Sequence, residues 1–272
     1  MNIVKLTGEN IHYLEYPGVM KPAAAVRKPV FPDSTDIDFL TRHIEKDIQG
    51  FIAIDADKPA GHILVAHLDR AAVPLRSSRP DIPVILSLVT VKKYRRQGIA
   101  EDLIRRVIED NQEAPGILTL PADSRTMKER RSFRRMGFKT IAEHGLLKAE
   151  YRPGTKKMID AAFYTPGLER DYVRPFTFVT DPFRPGMRQV MERQKRILNA
   201  FPDMLPPDEI PYEEARARNP EITPGLYLFG KMPETGGFVT GLRLKRIIKK
   251  TIREEARKTF GAASPTRYTK RK

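Results

Sequence analysis

The chain has 272 residues, enough for one large domain or two of ordinary size, and 40% hydrophobic content lets it bury a sizeable core without staples. It contains no cysteine, which excludes disulfides, thiolate metal sites and cysteine nucleophiles. No apolar run approaches the ~20 residues that cross a bilayer, so a soluble protein with no membrane partner is expected; the lack of cysteine permits a cytoplasmic location, with a virion as the alternative, and no metal is expected. The net charge of +15 is unevenly placed: 24 basic against 20 acidic residues in 1–150, 25 against 14 in 151–272, and 12 against 2 in 241–272. A basic C-terminal stretch fits a polyanionic neighbour, so residues 241–272 are expected to meet nucleic acid or an acidic protein partner.

The N-terminal stretch Met1–Leu6 is apolar and too short for a signal peptide. Turn punctuation follows at Gly18, Pro22, Pro29 and Pro32. Ile37, Leu40, Ile44 and Ile48 recur at helical spacing and predict a helix over 35–49, with Asp33 or Ser34 as N-cap and Gly50 as its stop. Phe51–Asp55 and His62–Leu68 predict two paired strands around a turn at 57–61. Pro83–Val91 is an almost unbroken apolar run, suited to a central buried strand. A helix is predicted from Ile99 to Asn111, with Ile99, Leu103, Ile104, Val107 and Ile108 on one face, followed by a strand at Gly116–Leu120. Thr126 and Glu129 form a capping box for a helix over 127–136 that Gly137 closes. Phe138–Ala142 and Gly145–Tyr151 read as a last strand pair.

Residues 151–272 change character and hold 13 of the 23 prolines. Helices are predicted near 187–200, with Met187 and Met191 as packing residues, and near 242–260, where Leu244, Ile247, Ile248 and Ile252 run beside Lys245, Lys249, Arg253 and Arg257. A short helix over 211–218 begins at proline, with Glu213 and Glu214 early and Arg216 and Arg218 late, an order that suits the helix dipole. The expected organisation is therefore a domain over 1–150 and a proline-rich, basic extension, mainly helical or irregular, over 151–272.

Chemistry concentrates where the buried strand at 83–91 runs into a loop that opens the helix at Ile99. The first turn of a helix has amide groups without internal partners, and they carry partial positive charge. Such a terminus is a natural phosphate cradle. Gly98 leaves room for close backbone approach, Ala100 keeps the next position small, and Lys92, Lys93, Arg95 and Arg96 add positive charge.

This strand–loop–helix resembles the acetyl-CoA-binding signature of the GNAT acetyltransferase superfamily, whose pattern is Arg or Gln, two residues, Gly, one residue, then Gly or Ala. Arg95, Gly98 and Ala100 fill those positions, and Tyr94 precedes them as in the family. Ser132–Phe138 is similar to the family's later motif, in which a helix ends in Gly-Phe before a strand. The resemblance covers about 35–150 and implies a fold of the α/β class: a central, twisted, mixed sheet flanked by helices. It implies acetyl-CoA as co-substrate, held between the strands at 85–91 and 117–120. A pantetheine arm would bond backbone groups near Val89 and Val91, and a pyrophosphate would sit on the amides of Gln97, Gly98, Ile99, Ala100 and Glu101, with Arg95 and Arg96 as cofactor-binding residues beside it.

The resemblance implies direct attack of an amine, of unknown identity, on the thioester. Where many family members have a tyrosine acid this chain has Phe133, and where many have a glutamate base it has Ser87. Phe133 reads as core, and Ser87 could at best position a water. Asp123, Ser124, His62, His67 and Tyr94 are neighbouring candidates; His62 and His67 are expected to face solvent or pair with backbone, so the catalytic residues stay unassigned. Three functions compete: an acetyl-CoA-dependent N-acetyltransferase; a weak or inactive GNAT-fold structural protein of a large nucleoprotein assembly such as a phage virion; and an acetyltransferase delivered to nucleic-acid-bound substrates by residues 241–272.

Overall fold

The computed structural model describes residues 1–15, 34–120, 133–144, 147–153, 160–164, 167–168, 175–180, 187–201, 206–233 and 241–260. Strand β1 (Asn2–Lys5) pairs antiparallel with β2 (Ile48–Asp55), and β2 with β3 (Lys58–His67). The β2–β3 turn consists of Ala56 and Asp57, with φ of 45° and 61°. Two left-handed central residues make the tight hairpin connection that matches strand twist. Lys58 to Gly61, expected in the turn, thus belong to β3. Gly61 serves a different purpose there: a Cβ on it would lie 2.5 Å from the Val89 carbonyl oxygen.

Helix α1 spans Ser34–His43, shorter than the periodicity predicts. The chain turns left-handed at Glu45 (φ 69°), and Ile48 is drawn into β2 opposite Ala66. An isoleucine buried at that point satisfies a strand pattern as well as a helical one. After the short strand β4 (Leu75–Arg76) comes β5 (Pro83–Thr90), then helix α2 (Ile99–Asp110) and β6 (Gly116–Thr119), parallel to β5. Ile99, Leu103, Ile104 and Val107 are buried against β2, β3 and β5. Their burial contributes about 1.5–3 kcal/mol per side chain and fixes the helix on the sheet. Strands β7 (Lys139–His144) and β8 (Leu147–Pro153) complete a seven-stranded mixed sheet, in the order β1-β2-β3-β5-β6-β8-β7.

The helix before β7 ends at the described residues Phe133–Arg135 in a Schellman motif. Gly137 (φ 88°) donates to the Arg134 carbonyl, and Phe138 to that of Phe133, both at 3.1 Å. The rings of Phe133 and Phe138 meet edge to face, 5.2 Å apart. Gly137 thus closes its helix as expected; the capping box at Thr126 and Glu129 lies outside the described residues, as do Asp33 and the punctuation at 18–32.

The expected boundary at residue 150 falls inside β8. Strand β9 (Ala162–Phe163) pairs back onto β4. Beyond it the sequence reading missed a second, three-stranded sheet: β10 (Phe176–Val179) lies between parallel β11 (Asp208–Ile210) and antiparallel β12 (Gly225–Leu228). These strands are only three or four residues long, too short for a period to register. Phe176, Phe178, Leu226 and Leu228 face helices α3 (Met187–Leu198) and α5 (Gly241–Phe260), meeting Met191, Leu198, Leu244 and Ile248. Val179 and Tyr227 join Ile210 and Tyr212, the first residue of α4 (Tyr212–Arg218), in the core containing Ile52 and Leu64 of the large sheet. The two parts of the chain therefore share one apolar core. No helix among the described residues is long and apolar enough to cross a membrane.

Two tyrosines in this shared region resist ionisation. Burial, with Tyr212 and Glu221 nearby, pushes the Tyr164 phenol up to about 12, and burial raises that of Tyr227 as well. The unfolded value is about 10. Neutral phenols thus stabilise the fold fully below pH ~10, and that contribution is lost as pH rises from ~10 through ~12. We expect absorbance at 295 nm to show a fraction of the tyrosines ionising only above pH ~11, together with loss of the far-UV circular dichroism signal; complete ionisation near pH 10 with the fold intact would contradict this.

Candidate functional site

β5 lies between an antiparallel neighbour, β3, and a parallel one, β6. Towards β3 it is paired along its length with one bulge: Leu64 faces Ser87 and Val65 faces Ile85, so Leu86 is the additional residue. Towards β6 it pairs only at Val84 with Leu118 and Ile85 with Thr119. From the bulge onward the parallel neighbours separate. Val84 and Ile85 are buried, whereas Leu86 to Thr90 are each half-buried. Among the described residues no strand lies beside Leu86–Thr90 on that flank, so a wedge-shaped opening starts where the ladder stops.

The phase of the ladder decides which backbone groups face the opening. The Val91 N–H donates to the Ala60 carbonyl at 2.8 Å. Bonded and non-bonded pairs alternate along an antiparallel ladder, so Val89, opposite His62, is also turned towards β3. Leu88 and Thr90 are turned the other way, and the Thr90 carbonyl accepts a 3.4 Å bond from the Arg95 guanidinium outside the ladder. Val89 and Val91, expected to offer backbone groups to a pantetheine arm, thus turn those groups towards β3, whereas Leu88 and Thr90 turn theirs towards the opening. The sequence could not supply this phase, because it depends on the bulge at Leu86.

At the wide end of the opening, Tyr94 is buried in the core beneath α2, with its N–H on the Val91 carbonyl at 2.9 Å. It anchors an exposed loop in which Arg96 (φ 69°) and Gly98 (φ 83°) are left-handed. Gly98 is the N-cap residue of α2, and no side chain caps the helix. A Cβ on Gly98 would find only the Asp102 carboxylate, 3.9 Å away. Conformation rather than crowding favours glycine there.

The Gly98 carbonyl accepts the N–H groups of Glu101 at 2.9 Å and Asp102 at 3.0 Å. The Glu101 amide, expected to be available, is thus already occupied. Among the described residues the N–H groups of Gln97, Gly98, Ile99 and Ala100 have no acceptor, which makes this terminus a ready anion cradle. Lys92, Lys93, Arg95 and Arg96 are exposed around it. Two carboxylates in the first turn oppose an anion, but each is paired: Glu101 with Arg135 at 3.1 Å and Asp102 with Arg105 at 2.9 Å. The Arg135 pair also joins the two sequence motifs in space.

His62 differs from its expectation. It is fully buried, and its Nε2 lies 3.1 Å from Ser87 Oγ, at the start of the opening. Twenty-five residues separate the two, so no local pattern announces the pair. His67 is exposed at the end of β3, Phe133 is core as expected, and Asp123 and Ser124 lie outside the described residues. Among the described residues no group of three or more His, Asp or Glu side chains is arranged to hold a metal ion.

Residues 22–148 match the acetyltransferase (GNAT) domain family. No curated protein sequence matches the chain significantly. Among solved structures the fold is similar to an acetyltransferase from Thermus thermophilus, with 14% identity, coverage of 56% of this chain and 96% of that one, and a TM-score of 0.44. It is also similar to the ribosomal-protein-S18-alanine N-acetyltransferase of Escherichia coli, at 12% identity, 58% and 96% coverage and a TM-score of 0.42. A third similar structure is a putative streptothricin acetyltransferase of Bacillus anthracis str. Ames in complex with acetyl coenzyme A, at 16% identity, 41% and 66% coverage and a TM-score of 0.34.

Proposed function

We propose, from the premise that residues 22–148 are a GNAT acetyltransferase domain, that the protein transfers the acetyl group of acetyl-CoA to an amine. The observation supporting this most directly is the splay of β5 from β6 after Ile85, ending at the uncapped amides of Gln97 to Ala100. In this reading those four amides hold the pyrophosphate, with Arg95 and Arg96 beside it. Leu88 and Thr90 hold the pantetheine amides as a neighbouring strand would.

Transfer requires the amine nitrogen to bond the thioester carbon while the carbon–sulfur bond breaks; the amine gives up a proton and the thiolate takes one. Ser87 is the polar side chain at the narrow end of the opening. In this reading His62 is assigned the tautomer whose Nε2, 3.1 Å from Ser87 Oγ, accepts the hydroxyl hydrogen, which leaves the lone pairs of Ser87 for an N–H of the entering amine. We assign Ser87 the task of orienting that amine, and His62 that of fixing Ser87. Phe133 has no proton to give, so the leaving thiolate takes its proton from solvent water, which in turn accepts the proton that the amine releases.

Two measurements test this. Calorimetry on the full chain should show binding of acetyl-CoA and CoA, and a panel of primary amines with acetyl-CoA should release free thiol. Ser87→Ala should lower kcat/KM for the responding amine about tenfold and leave the acetyl-CoA dissociation constant unchanged. Absence of binding by both acetyl-CoA and CoA overturns the proposal.

A further inference from the structure

Helix α5 has two faces of opposite character. Leu244 and Ile248 are buried to within 1% and pack against α3 and the small sheet, with Ile247 and Ile252 partly buried beside them. At about 100° per residue, Arg243, Lys245, Arg246, Lys249, Lys250, Arg253 and Arg257 fall on an arc of about 160° on the opposite side. Lys245, Arg246, Lys249, Lys250, Arg253 and Arg257 are exposed. The helix has two acids. Glu255 lies on the inward side and pairs with Lys258, and Glu254 sits at the rim of the arc, 3.7 Å from Lys250. Among the described residues Lys245, Arg246, Lys249, Arg253 and Arg257 have no acidic partner.

We infer that this arc is a docking face for the phosphate backbone of nucleic acid. A basic amphipathic helix can serve three partners, and the packing separates them. A lipid surface requires an apolar face free to enter the acyl boundary; here that face is already covered by Phe176, Phe178, Leu226 and Leu228. Leu242, at 74% exposure, is a single apolar residue and not a stripe. An acidic protein would be met by charges set among several hydrophobic and aromatic anchors, because interface cores are depleted in charge; among the described side chains the arc carries one exposed apolar anchor, Leu242. What it offers is a continuous row of cations on a helix of 20 residues, about 30 Å long. Duplex DNA presents one phosphate per about 1.7 Å of axis, and release of its counterions rewards a face of this kind. Contacts of cations with phosphate carry no sequence information, so binding is expected to be independent of sequence.

This inference does not rest on acetyl transfer, and its test reads a different ligand. Fluorescence anisotropy on the full chain, with a labelled 20-base-pair DNA duplex and a labelled 20-nucleotide RNA as probes, should show binding of at least one at 50 mM salt, with affinity falling steeply towards 200 mM. The triple substitution Lys245→Glu, Lys249→Glu, Arg253→Glu should weaken binding at least 100-fold and reduce the slope of log affinity against log salt by about 2–3. The thermal midpoint and acetyl-CoA binding should stay as in the parent chain, showing that the exposed arc and not the fold has changed. A second variant, Lys139→Glu on β7, controls for nonspecific charge and should leave affinity within about threefold. Wild-type retention of neither probe at 50 mM salt overturns the inference. So does unchanged binding by the triple variant, or tighter binding to vesicles containing phosphatidylserine or to polyglutamate than to either nucleic acid.

Discussion

Gly98→Asp is expected to weaken binding of acetyl-CoA and of CoA by 100-fold or more while the protein remains folded. The position has φ 83°, and aspartate is among the few side chains that tolerate left-handed backbone. A Cβ there meets nothing closer than 3.9 Å, so the substitution creates no clash. What changes is charge. A carboxylate is placed at the mouth of four unpartnered amides, where the proposed pyrophosphate carries the same sign, and it adds to the Asp102 carboxylate nearby. Gly98→Asn has nearly the same shape and conformational tolerance without the charge, and is expected to lose only about tenfold. Titration calorimetry on the three proteins, with CoA and with dephosphorylated pantetheine, separates the effects. The aspartate variant should retain whatever affinity pantetheine has, because that arm lies along β5 and not on the loop. Equal CoA affinity in the aspartate and parent proteins would show that no pyrophosphate rests on this helix end.

The largest effect on stability is expected from Gly116→Ala. A Cβ at Gly116 would fall 2.1 Å from Tyr151 Cε2 and 2.5 Å from its Cζ and Oη. That ring is not free to move aside: Tyr151 is 2% exposed, and its hydroxyl donates to the Pro115 carbonyl at 2.8 Å. Overpacking costs about 1–3 kcal/mol, and loss of the buried hydroxyl's partner adds about 1–3 kcal/mol. A loss of about 2–6 kcal/mol lowers Tm by about 4–24 °C in a chain of this size. The double variant Gly116→Ala, Tyr151→Phe should not restore stability, because the ring itself is the obstacle, whereas Gly116→Ala, Tyr151→Leu should recover part of it. Differential scanning calorimetry checks both, and an unchanged Tm in Gly116→Ala would show that β6 and β8 do not lie in this register.

The N-terminal sheet was legible because its strands are long and its punctuation strong. Pro83–Thr90, Ile99–Asp110 and Gly116–Thr119 sit where the apolar patterns place them. The uncapped start of α2 at Gly98 was legible for the same reason, because a glycine there stands between a buried apolar run and an amphipathic helix. What escaped was set by pairing rather than by composition. The bulge at Leu86 inverts which β5 residues face the opening, and one extra residue in an apolar run leaves no mark on the sequence. His62 reads as a polar interruption of β3 until Ser87 is brought beside it. The helix at 34–43 was overextended because Ile48 serves two periods at once, and only the left-handed turn at Glu45 decides between them. The small sheet was hidden by brevity, because four-residue strands between prolines look like loops.

The core that joins Ile52 and Leu64 to Val179, Ile210 and Tyr227 ties the fates of the two halves of the gene. A lineage that lost the second half would keep the cover that Ile37 and Leu40 give this face of the sheet, but would expose the part that Val179, Ile210 and Tyr227 now shield. The two halves are therefore expected to be inherited together.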